Sequence, residues 1–167
     1  MAGTNEMGSV EGQLVGLPLA GPESFTIQQL AYLKRALGLD ETLLWSGKEA
    51  TAGTTITLSE LQTNFEYLVF GLSGVYDREP VEYKVKVQSA YTVTLEVLSM
   101  DGNYVFRWLV NLSGDSTDFT KITIGRSTGI RTSLAGASPT SFTPATTGTY
   151  SCGLLYIKGV HRIAGGN

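Results

Sequence analysis

The stretch "YKVKVQSAYTVTLEVLSMDGNYVFRWLVNLSGDSTDFTKITI", Tyr83 to Ile124, decides the fold class. Side chains of a strand alternate between its two faces. Val85, Val87, Val93, Leu95 and Val97 fall on one face, while Lys84, Lys86, Thr94 and Glu96 fall on the other. Asp101-Gly102 separates two such runs and reads as a tight hairpin turn. A second hairpin turns at Gly114-Asp115. Strands joined by short turns, with no helical crossover between them, predict antiparallel sheets.

Extending this reading in both directions places strands near 42–46, 54–58, 64–72, 80–87, 90–99, 103–112, 117–126, 128–134 and 150–163. In "LSELQTN", Ser59 and Gln62 are spaced to cap one helical turn. Phe65, Tyr67 and Val69 share one face of the strand that follows, and Leu68 and Phe70 share the other. Apolar groups on both faces predict a strand covered on both sides, as against a neighbouring subunit. Residues 127–149 are rich in Ser, Thr, Gly and Ala, and read as a long loop broken by a short strand, or as a segment laid over the sheet.

Ahead of the strands, "TIQQLAYLKRALG" reads as one helix. Thr26 and Gln29 form a capping box and Gly38 supplies a C-terminal cap. Ile27, Leu30, Leu33 and Leu37 build an apolar stripe. A helix of about a dozen residues is marginal alone in water. It either packs on its own β domain or meets its copies around a symmetry axis. Residues 1–25 are broken by glycines and two prolines, so regular structure is not expected. They read either as a solvated leader or as an extended arm that docks through Leu14, Val15, Leu17 and Leu19. The expected organisation is an anchoring arm over 1–25, a short helix and possible trimer contact over 26–41, and a β domain over 42–167. The fold class is mainly β, an antiparallel β-sandwich or jelly-roll-like head.

The 167 residues carry a net charge of -3 and only 16% charged residues. With a pI near 5.1 and no basic run, nothing calls for nucleic acid. The start lacks a basic segment followed by an apolar run, so no secretory signal is read. No apolar run approaches the roughly 20 residues of a membrane span. A soluble protein assembled in the cytoplasm is expected.

Chemistry is sparse. One cysteine, Cys152, and one histidine, His161, exclude an intrachain disulfide and a Cys/His metal cluster, and no cofactor is expected. His161 and Cys152 read as structural residues. "FGLSGVY" lacks the second glycine of a nucleophile elbow, "GRSTGIR" lacks the ending of a phosphate loop, and both read as turns. Two carboxylate pairs, Asp77 with Glu79 and Asp115 with Asp118, could in principle serve a glycoside hydrolase. Both pairs sit in turns, where acids bond locally to the backbone. The most distinctive surface group is Tyr76, Asp77, Arg78 and Glu79 before Pro80, a candidate receptor-binding loop. An ordinary hairpin loop holding a salt bridge is the competing reading.

Four segments carry a resemblance: "LLWSG" at 43–47, "GTTITLSE" at 53–60, "TNFEYLVF" at 63–70 and "LLYIKGVHRI" at 154–163. Together they resemble the C-terminal β domain of bacteriophage tail-fibre and related virion proteins. The resemblance implies a trimeric, non-enzymatic virion module on the particle surface, used for host attachment. Partners would be two further copies, a capsid, tail or baseplate protein met through residues 1–25, and a host surface glycan or protein. Long fibres place shaft repeats before this domain. Here only residues 1–42 precede it, which favours a short fibre, a fibre tip, or a head fibre or decoration on the capsid. A β-sandwich glycan hydrolase is the reading from another class.

Overall fold

Alternation is realised as strands throughout the described chain. The computed structural model describes residues 41–161 together with Gln29 and Leu33, both helical. The remainder of the expected helix, with Ile27, Leu30 and Leu37, lies outside the described residues, as do the arm residues Leu14, Val15, Leu17 and Leu19. The strands are β1 (Glu41–Glu49), β2 (Thr55–Thr57), β3 (Tyr67–Ser73), β4 (Val81–Lys86), β5 (Tyr91–Asp101), β6 (Tyr104–Gly114), β7 (Lys121–Ser133), β8 (Thr140–Phe142) and β9 (Gly153–Val160). They pair antiparallel in two sheets, one ordered β1-β9-β3-β4 and the other β2-β7-β6-β5, with β8 added along β7.

The alternation of Tyr83–Ile124 works as a sorting device. Leu95 and Val97 on β5, and Phe106, Trp108, Val110 and Leu112 on β6, point into one apolar cluster. Ile122 and Ile124 of β7 join them, as do Leu68, Phe70 and Leu72 of β3 and Leu154 and Ile157 of β9. Burying each such side chain contributes about 1.5–3 kcal/mol. Trp108 is fully buried, and its indole N–H donates to Ser127 Oγ at 2.9 Å, which removes the cost of an unpaired donor. The β5–β6 hairpin turns through Gly102, whose φ of 53° places a positive value at the first central residue, as in a type II′ turn.

Three expectations are corrected. The break expected between strands at 117–126 and 128–134 is absent, because "GRSTGIR" lies inside β7. Asn111 pairs with Arg126 and Leu112 with Ile124, which leaves Gly125 as the extra residue of a bulge. The bulge shifts the alternation, so that Ser127 and Gly129, rather than Arg126 and Thr128, share the inward face. Second, Ser59 does not cap a helical turn. A single 3-10 turn at Gln62–Asn64 follows Leu61 without a side-chain cap. Gln62 turns inward and accepts the Tyr91 hydroxyl at 2.9 Å, so the amide satisfies a half-buried phenol. Burial raises the pKa of that phenol.

Third, β3 is buried on both faces without a neighbouring subunit. It lies between β9 and β4, and Gly71 sits directly under the ring of Tyr156. Tyr156 bonds to Glu82 at 2.7 Å, and Lys158 bridges Glu82 and Glu41 at 3.0 and 3.1 Å. Side chains of the same chain therefore roof the second face of β3.

Candidate functional site

The loop between β3 and β4 carries the backbone feature that sets it apart. Tyr76 and Asp77 adopt φ values of 66° and 52°, the only non-glycine residues among those described with positive φ. The left-handed region costs an L-residue roughly 1–2 kcal/mol, and a bulky side chain there is a true outlier. Something must hold the pair in place.

Asp77 is held from two distant parts of the chain. Lys48, on β1, donates from Nζ to both the Asp77 carboxylate and Ser151 Oγ. Ser151, just before β9, reaches the two Asp77 oxygens at 3.1 and 3.0 Å and lies 3.1 Å from the carbonyl of Thr146. The Asp77 amide also donates to the Ser151 carbonyl at 3.3 Å. The Lys48 hydrogen bond, with Ser151 adding to it, holds the Asp77 carboxyl below its ordinary range against a smaller opposing effect of burial.

Fixing Asp77 fixes its neighbours. Tyr76 meets the buried Phe106 edge-on, with ring centroids 5.4 Å apart. Arg78 donates to the Met100 carbonyl at 3.2 Å and lies 3.9 Å from the Asp101 carboxylate, tying the loop to the tip of the β5–β6 hairpin. Glu79 is exposed and makes no side-chain bond among the described residues.

Phe106 is the hub of an aromatic group. Tyr104, Phe142 and Tyr150 lie with centroids 6.3, 6.1 and 6.2 Å from it, and Phe142 stacks on Tyr150 at 4.6 Å. Phe142 reaches this place only because its partner across the β7–β8 ladder is Gly129, where any Cβ would overlap the ring. The Arg131 guanidinium covers one face of Tyr104 at 4.8 Å and contacts the Tyr150 hydroxyl at 3.4 Å. Phe106 is 2% exposed, but Tyr76 and Tyr104 are each 39% exposed. Two open tyrosine rings thus flank a buried phenylalanine beside Asp101 and Asn103.

All four residues of the expected loop therefore share one place, and the salt bridge of the competing reading exists too. That bridge runs to Lys48 instead of staying within the hairpin. Lys48, Ser151, Tyr104, Arg131 and Tyr150 were not foreseen as site residues. Their separations in sequence leave no local signal, although an aromatic directly after a Gly-Asn turn marks Tyr104 as a hairpin-tip residue.

Other candidates resolve into structural roles. Asp115 accepts from the amides of Thr117 and Asp118, and Asp118 from Thr120 and Lys121. These bonds lower both pKa values, that of Asp118 to about 2, whereas an acid catalyst of glycoside hydrolysis needs a raised one. Cys152 is buried, and desolvation pushes its thiol up to about 12. His161 packs on Phe65 at 4.6 Å and contacts Thr42 Oγ1 at 3.4 Å. Among the described residues no three His, Cys, Asp or Glu side chains converge as metal ligands, and no helix is long and apolar enough to cross a membrane. No protein-family profile matches the chain, and no curated protein matches it.

Proposed function

We propose that the chain is a virion structural protein, a small trimeric fibre or appendage of a bacteriophage whose β domain attaches the particle to the host surface. Its two sheets form a β-sandwich in this reading. The nested pairing of β1 with β9 and of β2 with β7 is jelly-roll-like, while β3–β4 and β5–β6–β7 run as plain hairpins. The observation that carries attachment is the strained Tyr76–Asp77 pair. Backbone strain held by distant residues concentrates at functional sites, and here it seats a part-exposed aromatic ring on the buried Phe106.

The segments bearing the resemblance add support. "LLWSG", "LLYIKGVHRI" and "TNFEYLVF" contribute β1, β9 and β3, which are adjacent strands of one sheet, and "GTTITLSE" contributes β2 of the other. Residues 1–25 anchor the protein to a capsid, tail or baseplate partner, and the 26–41 segment brings three copies together. Trimerisation multiplies weak contacts into avidity, so each site need hold its ligand only loosely.

The test is localisation combined with stoichiometry. An antibody against the purified chain is expected to label intact particles in electron micrographs, and light scattering is expected to give a trimer. Unlabelled particles contradict the virion reading, and a monomer at micromolar concentration contradicts the trimer.

A further inference from the structure

The open face beside Phe106 has a chemistry that selects its ligand. Tyr76 and Tyr104 each present a part-exposed ring in contact with the buried Phe106. Arg78 bridges their supporting elements, because it extends from the Tyr76 loop to Met100 and Asp101 at the hairpin tip that carries Tyr104. The two rings are therefore positioned relative to each other. Polar groups at their rim have hydrogen-bonding capacity to spare. The Asn103 side chain makes no hydrogen bond among the described residues, and Asp101 is engaged only by the long Arg78 contact.

A protein partner is best met by a contiguous apolar core within a polar rim. Here the two open rings rest on Phe106 and are bordered by the Asp101 carboxylate, the Asn103 amide and the Arg78 and Arg131 guanidinium groups, with the exposed Met100 and Leu134 at the hairpin tip. A pyranose fits that pattern. Its C–H face packs on a tyrosine ring, and its ring of hydroxyls engages carboxylate and amide groups alongside.

We infer that the surface formed by Tyr76, Tyr104, Asp101 and Asn103 is a saccharide-binding site for a hexopyranose polymer. The Lys48–Ser151 clasp on Asp77 holds one of its two stacking rings in place. This deepens the attachment reading and rests on it for the polymer's origin on a bacterial surface.

The test begins with the full-length protein on a printed array of bacterial surface polysaccharides, followed by calorimetric titration of the tightest binder. Tyr104→Ala and Tyr76→Ala are each expected to weaken binding about tenfold, the loss of one stacking contact. Tyr104→Phe keeps the ring and is expected to bind as the native chain does. Leu98→Asp, on the opposite face of β5, is also expected to leave binding unchanged. Should Tyr76→Ala fail to fold, Asn103→Ala takes its place and is expected to weaken binding.

Absence of binding to every polysaccharide overturns the inference, as does binding that the alanine variants retain. Labelled protein on a panel of bacterial cells separates this inference from the attachment reading. Cell binding that survives periodate oxidation of surface glycans but not protease shaving overturns the saccharide ligand and leaves attachment standing. Array binding lost in the tyrosine variants, with no cell bound at all, supports the saccharide site and contradicts attachment.

Discussion

Lys48 and Asp77, 29 residues apart in the chain, bond side chain to side chain across the gap between β1 and the β3–β4 loop. The same ammonium bonds to Ser151. One lysine thus ties together a strand, a strained loop and the lead-in to β9. The pair is partly open to water, with the Asp77 side chain 56% exposed, so its Coulombic contribution to global stability is small. Its role is local: it keeps two residues in a conformation they would otherwise leave.

Lys48→Met is accordingly expected to lower unfolding free energy by only about 0.5–1 kcal/mol. Its larger effect should be local. Amide hydrogen exchange at residues 76–79 is predicted to speed up severalfold, while the amides of β5 and β6 keep their protection. Unchanged exchange in the loop would show that the clasp does not hold it.

Tyr76 offers a direct test of strain. Both Tyr76→Ala and Tyr76→Gly lose the edge contact with Phe106, but only glycine adopts a φ near 66° without penalty. The glycine variant should therefore be more stable than the alanine variant by about 1 kcal/mol in urea unfolding. Ordinary backbone would give the opposite order, because glycine gains more entropy on unfolding.

Gly129→Ala places a methyl where the Phe142 ring lies. The ring must move off β7, which disturbs its stack on Tyr150 and the β7–β8 ladder. A cost of about 1–3 kcal/mol is expected in thermal or urea unfolding. Loss of the Phe142–Tyr150 cross-peaks in an NMR spectrum would locate the damage.

Acid stability follows from the turn carboxylates. A carboxyl whose folded pKa lies below its unfolded value contributes stability that is complete above the unfolded value and is lost as pH falls through the folded one. For Asp118, held mainly by its hydrogen bond from Lys121, that window runs from 3.8 down to about 2. Asp77 and Asp115 are lowered in the same direction. Stability should fall on acidification through this window, and Asp118→Asn should flatten the slope there in a series of urea titrations.

Period-two patterning made the β5–β6 hairpin legible in the sequence, because alternating burial leaves a strong local trace. The bulge at Gly125 left none that separates it from a turn, since glycine serves both. Gln62 looked like a cap because its spacing from Ser59 fits one, yet a buried phenol on Tyr91 needed its amide more. The loop Tyr76–Glu79 stood out by its mixture of ring and charges. What positions it did not, because Lys48 and Ser151 reach Asp77 from 29 and 74 residues away. Such contacts are set by sheet topology, which local patterns do not encode.

The proposed attachment surface is the clasped loop Tyr76–Glu79 with Tyr104 beside it. Flow cytometry of fluorescently labelled full-length protein on a panel of bacterial species tests it most directly. At least one species should be stained, with staining reduced about tenfold by Tyr104→Ala and unchanged by Leu98→Asp. Absence of staining on every species, or equal staining by native chain and Tyr104→Ala, would contradict it.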